Sequence, residues 1–222
     1  MRTKRLSIMP MFQVLFPGMP MPLDLWEDRY IKLARQCSET DTEFGIVLIE
    51  EGKEVGGPVK TTYKIGTTAR VAHTREMDDH TAALVVGQEK FRIVDIVKTQ
   101  PVMQAAVEMV PDMQEISVSA EFVEDTCAEF GEYMTMMLKL VGFPDIDIEI
   151  PDDPNRLSYM IAAHLRCGAK VRQELLEMDD PRKRLGRSRE LMQEARDEYR
   201  VILAAREEAP DELLDGGIFS NN

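Results

Sequence analysis

Gly52 and Gly57 stand at the separation of the two glycines of a phosphate-binding loop and follow an apolar run of strand length, residues 44–50. A phosphate cradle needs Lys-Ser/Thr directly after the second glycine, the ammonium for the β/γ-phosphates and the hydroxyl for magnesium. Pro58-Val59 occupies those places and Lys60-Thr61 comes two residues late, so the segment reads as a flexible loop between two strands. No Gly-x-Gly-x-x-Gly follows a strand, and no Gly-x-Ser-x-Gly elbow occurs.

Metal chemistry finds little more support. His164 and Cys167 lie three apart, a spacing that puts an imidazole and a thiol on one helix face. A third and a fourth ligand are missing nearby, and a histidine beside a small hydrophobe on an apolar face is the commoner arrangement. Asp145, Asp147 and Glu149 alternate with isoleucines like the start of a calcium loop, but Ile150 and Arg156 stand where glycine and glutamate are required. They read as acids on the solvated side of an extended segment. His73 and His80 flank a polar turn and read as solvent-exposed. With three histidines, and no cleft to single out a pair among 40 acids, the sequence makes no positive case for catalysis. The expectation is no catalytic residue, no metal ligand and no cofactor.

Methionine is the unusual residue, with fifteen in the chain. Met9, Met11, Met19 and Met21 cluster near the start, and Met134, Met136 and Met137 fall in one helical stretch. Flexible, polarizable thioethers suit surfaces that accept varied apolar partners, so these seven are the candidate protein-binding residues. Core packing competes with that role, above all for Met134 and Met137 on the apolar stripe. Met136 falls off the stripe and reads as exposed.

The charge balance is 27 basic against 40 acidic side chains, a net charge of -13. Residues 1–118 carry 14 basic and 17 acidic groups, and residues 119–222 carry 13 and 23. Phosphate neutralisation needs a basic surface, so nucleic acid is disfavoured as the main partner. Cys37, Cys127 and Cys167 are odd in number and far apart, which argues against a disulfide framework and for a reducing cytoplasm. Prolines 10, 17, 20 and 22 interrupt the early apolar stretch, so it is not a signal peptide, and no run of 18 apolar residues exists to span a membrane.

The elements that must position these residues divide into two kinds. Residues 7–16 are apolar and end at Phe16-Pro17-Gly18; Trp26, Tyr30, Leu33, Ala34 and Cys37 then recur on one helix face. Strands are expected at 44–50, 63–72, 81–86, 89–98 and 103–109, with Gly87-Gln88 as a tight hairpin turn and a phase shift at Val94 marking a β-bulge. Short strands separated by turns suggest a closed or half-closed barrel. From Ser119 the period becomes helical: a helix stopped by Gly142-Phe143-Pro144, one opened by Asp153-Pro154, a short one after Gly168, and a long one opened by Asp180-Pro181 and running to about 209. Leu185, Met192, Ala195, Tyr199 and Ile202 are near heptad spacing on this last helix, which allows packing on its own bundle or on another copy. Residues 211–222 read as a frayed tail. The fold class is α+β, with a β-rich part over 1–118 containing one helix and an α-helical part over 119–222.

The stretch from Met9 through Leu15-Phe16-Pro17-Gly18, Pro22-Leu23 and Trp26-Glu27-Asp28-Arg29-Tyr30 resembles the start of the Lon protease N-terminal, substrate-binding domain. Phe44-Gly45-Ile46-Val47-Leu48-Ile49, Ile65-Gly66-Thr67-Thr68-Ala69-Arg70-Val71 and Val86-Gly87-Gln88-Glu89-Lys90-Phe91-Arg92-Ile93 are similar to that family in the same order. Residues 173–181 resemble its helical part. The resemblance implies a PUA-like β pseudo-barrel followed by a helical bundle. Neither a Walker A motif nor a peptidase serine motif occurs before residue 222, so the implied form is stand-alone: recognition without ATP hydrolysis or proteolysis. Arg29 and Glu27 are placed to tie the first helix to a neighbouring loop, and Trp26 and Tyr30 to bury rings with a polar tip. The resulting expectation is a cytoplasmic, non-catalytic module that engages exposed apolar segments of unfolded or client polypeptides, acting as an adaptor to a protease. A homo-oligomer through the long helix is the further partner considered. The rival readings are a PUA-like RNA binder and a small-molecule-binding or hydrolytic cleft between barrel and bundle.

Overall fold

The computed structural model describes residues 3–113, 118–143 and 149–208. Period-two alternation produces β2 (Pro20–Leu25) and β6 (Met103–Met109), each burying every second side chain. The continuous apolar runs become β1 (Lys4–Met11) and β3 (Phe44–Gly52), which are buried on both faces over most of their length. Between β2 and β3 lies α1 (Asp28–Thr40), whose Tyr30, Leu33, Ala34 and Cys37 face the core. Two 18-residue strands, β4 (Val59–Glu76) and β5 (Thr81–Lys98), complete the β-rich part.

Pairing closes the sheet on itself. The order is β2-β5-β4-β3-β1-β6, and β5 also pairs with β6, so five strands form a ring and β2 adds to the outside of it. β1 and β3 run parallel, Ile8 opposite Gly45; every other pair is antiparallel. β5 serves two partners in turn, since residues 81–86 pair with β2 and residues 91–98 pair with β6. The barrel expected from the strand count is therefore present and closed. The phase shift at Val94 is a register shift between Ile93 and Asp95 against β6.

Gly87-Gln88 is not a turn. β5 runs straight through it, and the β4–β5 hairpin turns at residues 77–80, where the Met77 amide donates to the His80 carbonyl. The glycine is needed for close approach. A Cβ on Gly87 would lie 2.2 Å from the carbonyl oxygen of Phe16, and the Gly87 amide donates to Met19 O while Gly18 N donates to Gly87 O. The strand thus passes beneath the Phe16–Met19 turn, in which Gly18 takes φ +75°.

Phe91, Ile8, Val47, Ala105 and Val107 fill one buried cluster inside the ring. A second cluster packs α1 against Met9, Met11, Leu15, Met21, Phe44 and Val85. The helices that follow are α2 (Ala120–Val141), α3 (Pro154–His164), α4 (Ala169–Glu177) and α5 (Pro181–Glu208). Asp153 caps α3 by accepting from the Arg156 amide at 2.8 Å, with Pro154 at the first helical position. Asp180 does the same for α5, accepting from the amides of Arg182 and Lys183.

The chain separates into two compact units: Met1–Ser119 with Pro151–Ser188, and Ala120–Ile150 with Arg189–Asn222. The 118/119 boundary expected from the sequence marks the change from strand to helix, but the units do not follow it, because α3, α4 and the first turns of α5 are bonded to the barrel. Gln173 donates to the Ile65 carbonyl at 3.0 Å. Lys90 of β5, almost wholly buried, donates to Asp112 at 2.7 Å and to Asp179 at 2.9 Å. The fully buried Arg184 of α5 donates to Ser158 and Asn155, reaches the Met178 carbonyl, and lies 3.7 Å over the Tyr159 ring. The Tyr159 hydroxyl donates to Asp112 at 2.6 Å. Burial alone would push the Asp112 carboxyl up; bonds from Lys90 and Tyr159 and the charges of Arg184 and Lys90 outweigh it and hold the group below its ordinary range.

In the second unit α2 and the later part of α5 lie side by side. Arg189 pairs with Glu129 and covers Phe122, Arg196 pairs with Glu132, Tyr199 stacks on Tyr133, and Arg206 donates to the Leu140 carbonyl. These partners advance together in sequence, so the two helices run in the same direction. Among the described residues, no helix is long and apolar enough to cross a membrane. The expected frayed tail and the acids Asp145 and Asp147 lie outside the described residues.

Candidate functional site

Three stretches of the barrel unit meet at a crevice: the end of β1 (Met9, Pro10, Met11), the end of β2 running into α1 (Asp24 to Glu27, and Tyr30), and Glu54-Val55 of the β3–β4 loop. Its floor is apolar, since Met9, Met11 and Leu25 are buried in the core beneath α1. Its edge combines open apolar groups, Trp26 at 50% exposure and Val55 at 56%, with the carboxylates of Asp24, Glu27 and Glu54; Phe12, 48% exposed, follows Met11 in the chain and is tied by its amide to Glu54. Local geometry sets each rim group. Glu27 is the extended residue before α1, its carbonyl accepting the amides of Tyr30 and Ile31, so Trp26 is carried on extended chain one step outside the helix. The indole stacks on His80 with centroids 4.5 Å apart, and His80 is held by Asp79 at 2.7 Å and meets Asp24 at 3.5 Å. The Phe12 amide donates to Glu54 at 2.7 Å, which ties the β3–β4 loop to the end of β1.

The helix face read as Trp26, Tyr30, Leu33, Ala34 and Cys37 is therefore correct from Tyr30 onward and fails at Trp26. α1 starts at Asp28, so the indole escapes the buried stripe and its ring is not buried. Arg29 and Glu27 do take the tying role: Arg29 bonds Glu27 at 2.7 Å, donates to the Pro101 carbonyl of the β5–β6 loop at 3.1 Å, and covers the Tyr30 ring. His80 is half-buried rather than open, because the indole lies on it; His73 is exposed.

The seven candidate methionines are not one surface. Met9 and Met11 come together as the crevice floor, Met21 is buried in the same core cluster, and Met19 is half-buried after the Gly18 turn. Met134 is buried on α2, while Met136 and Met137 are half-buried there, in the other compact unit. Met136 is thus less open than its place off the stripe suggested. Four of the seven are packing residues, as expected of thioethers that fill irregular gaps in a core. The exposed apolar groups near the crevice are instead Phe12, Trp26 and Val55; of these the sequence singled out only Trp26, and for burial.

The crevice holds about 30 Å³, far below the roughly 300–1,000 Å³ of small-molecule sites. Its lining is Met, Pro, Leu, Trp, Tyr, Val and three carboxylates, so what it offers is van der Waals contact for a side chain laid across the rim. The second unit carries a larger, polar hollow of about 270 Å³ between Glu129, Gln193, Arg196, Asp197 and Arg200, whose charges pair with one another or with Arg189 and Glu132. His164 bonds the Met160 carbonyl within its own helix. Burial pushes the thiols of Cys37 and Cys167 up, away from the thiolate form that attacks or binds metal. Among the described residues, no three of His, Cys, Asp and Glu gather as a metal site.

The family model of the ATP-dependent protease La (LON) substrate-binding domain matches residues 5–194. The chain belongs to that family. The Lon protease of Amoebophilus asiaticus is 29% identical over 180 residues, and Lon protease 2 of Myxococcus xanthus 28% over 200. These alignments cover 78% and 86% of this chain but only 21% and 24% of the relatives, so the chain spans less than a quarter of their length. A Lon N-terminal domain protein from Xanthomonas campestris has the same fold, with a TM-score of 0.62 at 22% identity, covering 83% of this chain and 96% of that one. The N-terminal domain of the Mycobacterium avium complex Lon protease superposes with a TM-score of 0.59 at 22% identity, covering 86% and 98%.

The Lon-like blocks have physical roles in the structure. Leu15-Phe16-Pro17-Gly18 forms the turn over Gly87, and the blocks at 44–49, 65–71 and 86–93 lie in β3, β4 and β5 around Phe91. In the helical block, Gln173, Asp179 and Asp180 bond the barrel or cap α5. The crevice lies wholly inside the matched residues.

Proposed function

We propose that this chain binds exposed apolar segments of client polypeptides without cleaving them, as the recognition module of a cytoplasmic proteolytic system. One observation carries the reading: a floor of thioethers and leucine beneath the open apolar groups of Trp26 and Val55, in a chain of the Lon substrate-binding family. Methionine adapts to differently shaped guests, and large apolar groups left open on a folded surface mark interaction sites. An unfolded client supplies the complement, an apolar side chain on an extended backbone. The net charge of -13 keeps such a surface apart from nucleic acid.

Trp26 is the single tryptophan, so its emission reports directly on the rim. Titration with a reduced, alkylated, tryptophan-free client is expected to shift that emission saturably. Trp26→Ala is expected to weaken binding of a dye-labelled client by roughly tenfold, the loss typical of an aromatic anchor. Indifference of the wild-type chain to every unfolded client in both assays overturns the reading.

A further inference from the structure

The crevice is apolar in its floor and acidic at its edge. Asp24, Glu27 and Glu54 are the charged residues that line it, and among the described residues no lysine or arginine does. Glu27 is neutralised by Arg29 at 2.7 Å. Glu54 is held by the Phe12 amide, a bond that fixes its position and leaves its charge in place. Asp24 is largely exposed and meets the His80 imidazole at 3.5 Å. Two carboxylate charges thus stand beside an apolar surface that can take one side chain laid across it.

The backbone edge nearby offers little. Among the described strands β2 pairs with β5 alone, and Pro20 and Pro22 remove two amide donors from it, a device that blunts strand addition. Discrimination among segments then falls to side chains and charge.

We propose that the crevice selects apolar side chains carried on basic-flanked stretches of polypeptide, with Lys or Arg beside the residue laid across the rim pairing with Asp24 and Glu54. This rests on the polypeptide-binding reading above and adds to it a substrate class. A flanking acid would meet both carboxylates and the chain's overall negative field.

The test uses three tryptophan-free dodecapeptides with one apolar centre, flanked by lysine, serine or glutamate, titrated by Trp26 emission and by calorimetry. The lysine-flanked peptide is expected to bind roughly three- to tenfold tighter than the serine-flanked one, the scale of two partly exposed ion pairs, and the glutamate-flanked peptide more weakly than both. The advantage shrinks as salt rises, which the wild-type chain alone can show. In the D24N/E54Q variant, which keeps a side-chain acceptor oxygen for the Phe12 amide, the preference disappears. Equal affinity for all three peptides overturns the charge selection and leaves polypeptide binding standing. Binding of a full-length unfolded client with no response to any of the peptides overturns the crevice as the site, and silence toward client and peptides alike overturns both readings.

Discussion

Asp112→Asn removes one negative charge from between two buried cations while keeping the shape of the side chain. In the native unit Asp112 faces Lys90 at 2.7 Å and Arg184 at 3.5 Å. At an effective dielectric of about 20 such pairs are worth roughly 6 and 5 kcal/mol. Neutralisation returns the several kcal/mol lost in desolvating the carboxylate, so the net loss comes to about 3–5 kcal/mol, the usual cost of stranding a buried charge. Asp179 still accepts from Lys90, which places the expectation at the lower end of that range. The apparent melting point falls by roughly 6–20 °C for a chain of this size. Urea unfolding followed by Trp26 emission isolates the barrel unit, because the single tryptophan lies in it. A matched exposed pair supplies the contrast: Glu51→Gln, opposite Lys60 and open to solvent, is expected to cost less than about 1 kcal/mol. Lys90→Met combined with Asp112→Asn is expected to cost less than the sum of the two single changes, since each removes the other's partner. A loss at Asp112 no larger than that at Glu51 refutes the argument that this network clamps the helices to the barrel.

The same carboxyl sets an acid limit. Its folded value is lowered, so the unfolded chain binds the extra proton first, and the stabilisation is complete above the ordinary carboxylate range and lost as pH falls through the folded value. Stability measured against pH is expected to fall on the acid side with a steeper slope in the wild type than in Asp112→Asn. Gly87→Ala pushes a methyl group to 2.2 Å from the Phe16 carbonyl, so the Phe16–Met19 turn or β5 must move; a loss of roughly 1–3 kcal/mol in the urea midpoint is expected, and a neutral result would contradict the close approach.

What could be read in the sequence was local. Asp153-Pro154 and Asp180-Pro181 announce helix starts because a capping carboxylate and a φ-restricted proline act within one turn, and the structure uses both. The bulge at Val94 showed as a broken alternation for the same reason. Gly87 misled because a glycine kept for a distant backbone looks in sequence like a glycine kept for a turn; its reason, Phe16, lies 71 residues away. Lys90 and Arg184 were invisible because charged side chains are ordinarily solvated, and the acid that joins them, Asp112, belongs to a connection with no periodicity. The crevice needs residues 9–11, 24–30 and 54–55 together, and long-range strand pairings, β1 with β3 and β2 with β5, bring them there.

Most of the candidate methionines are packing residues, and two of them, Met9 and Met11, form the floor of the crevice. An open patch of four flexible thioethers would be a large apolar face on the free protein, with the self-association that invites. Placed as a floor, Met9 and Met11 pack against the α1 cluster when nothing is bound, so their apolar area is already removed from water. Near the crevice the open apolar groups are each braced by a named contact: Trp26 by His80, the neighbouring Phe12 by Glu54 through its own amide, and Val55 by the loop that this bond ties down. On the proposed reading, a guest side chain would exchange rim water for contact without unfolding the floor. On the same reading, the carboxylates beside that rim favour a segment of opposite charge.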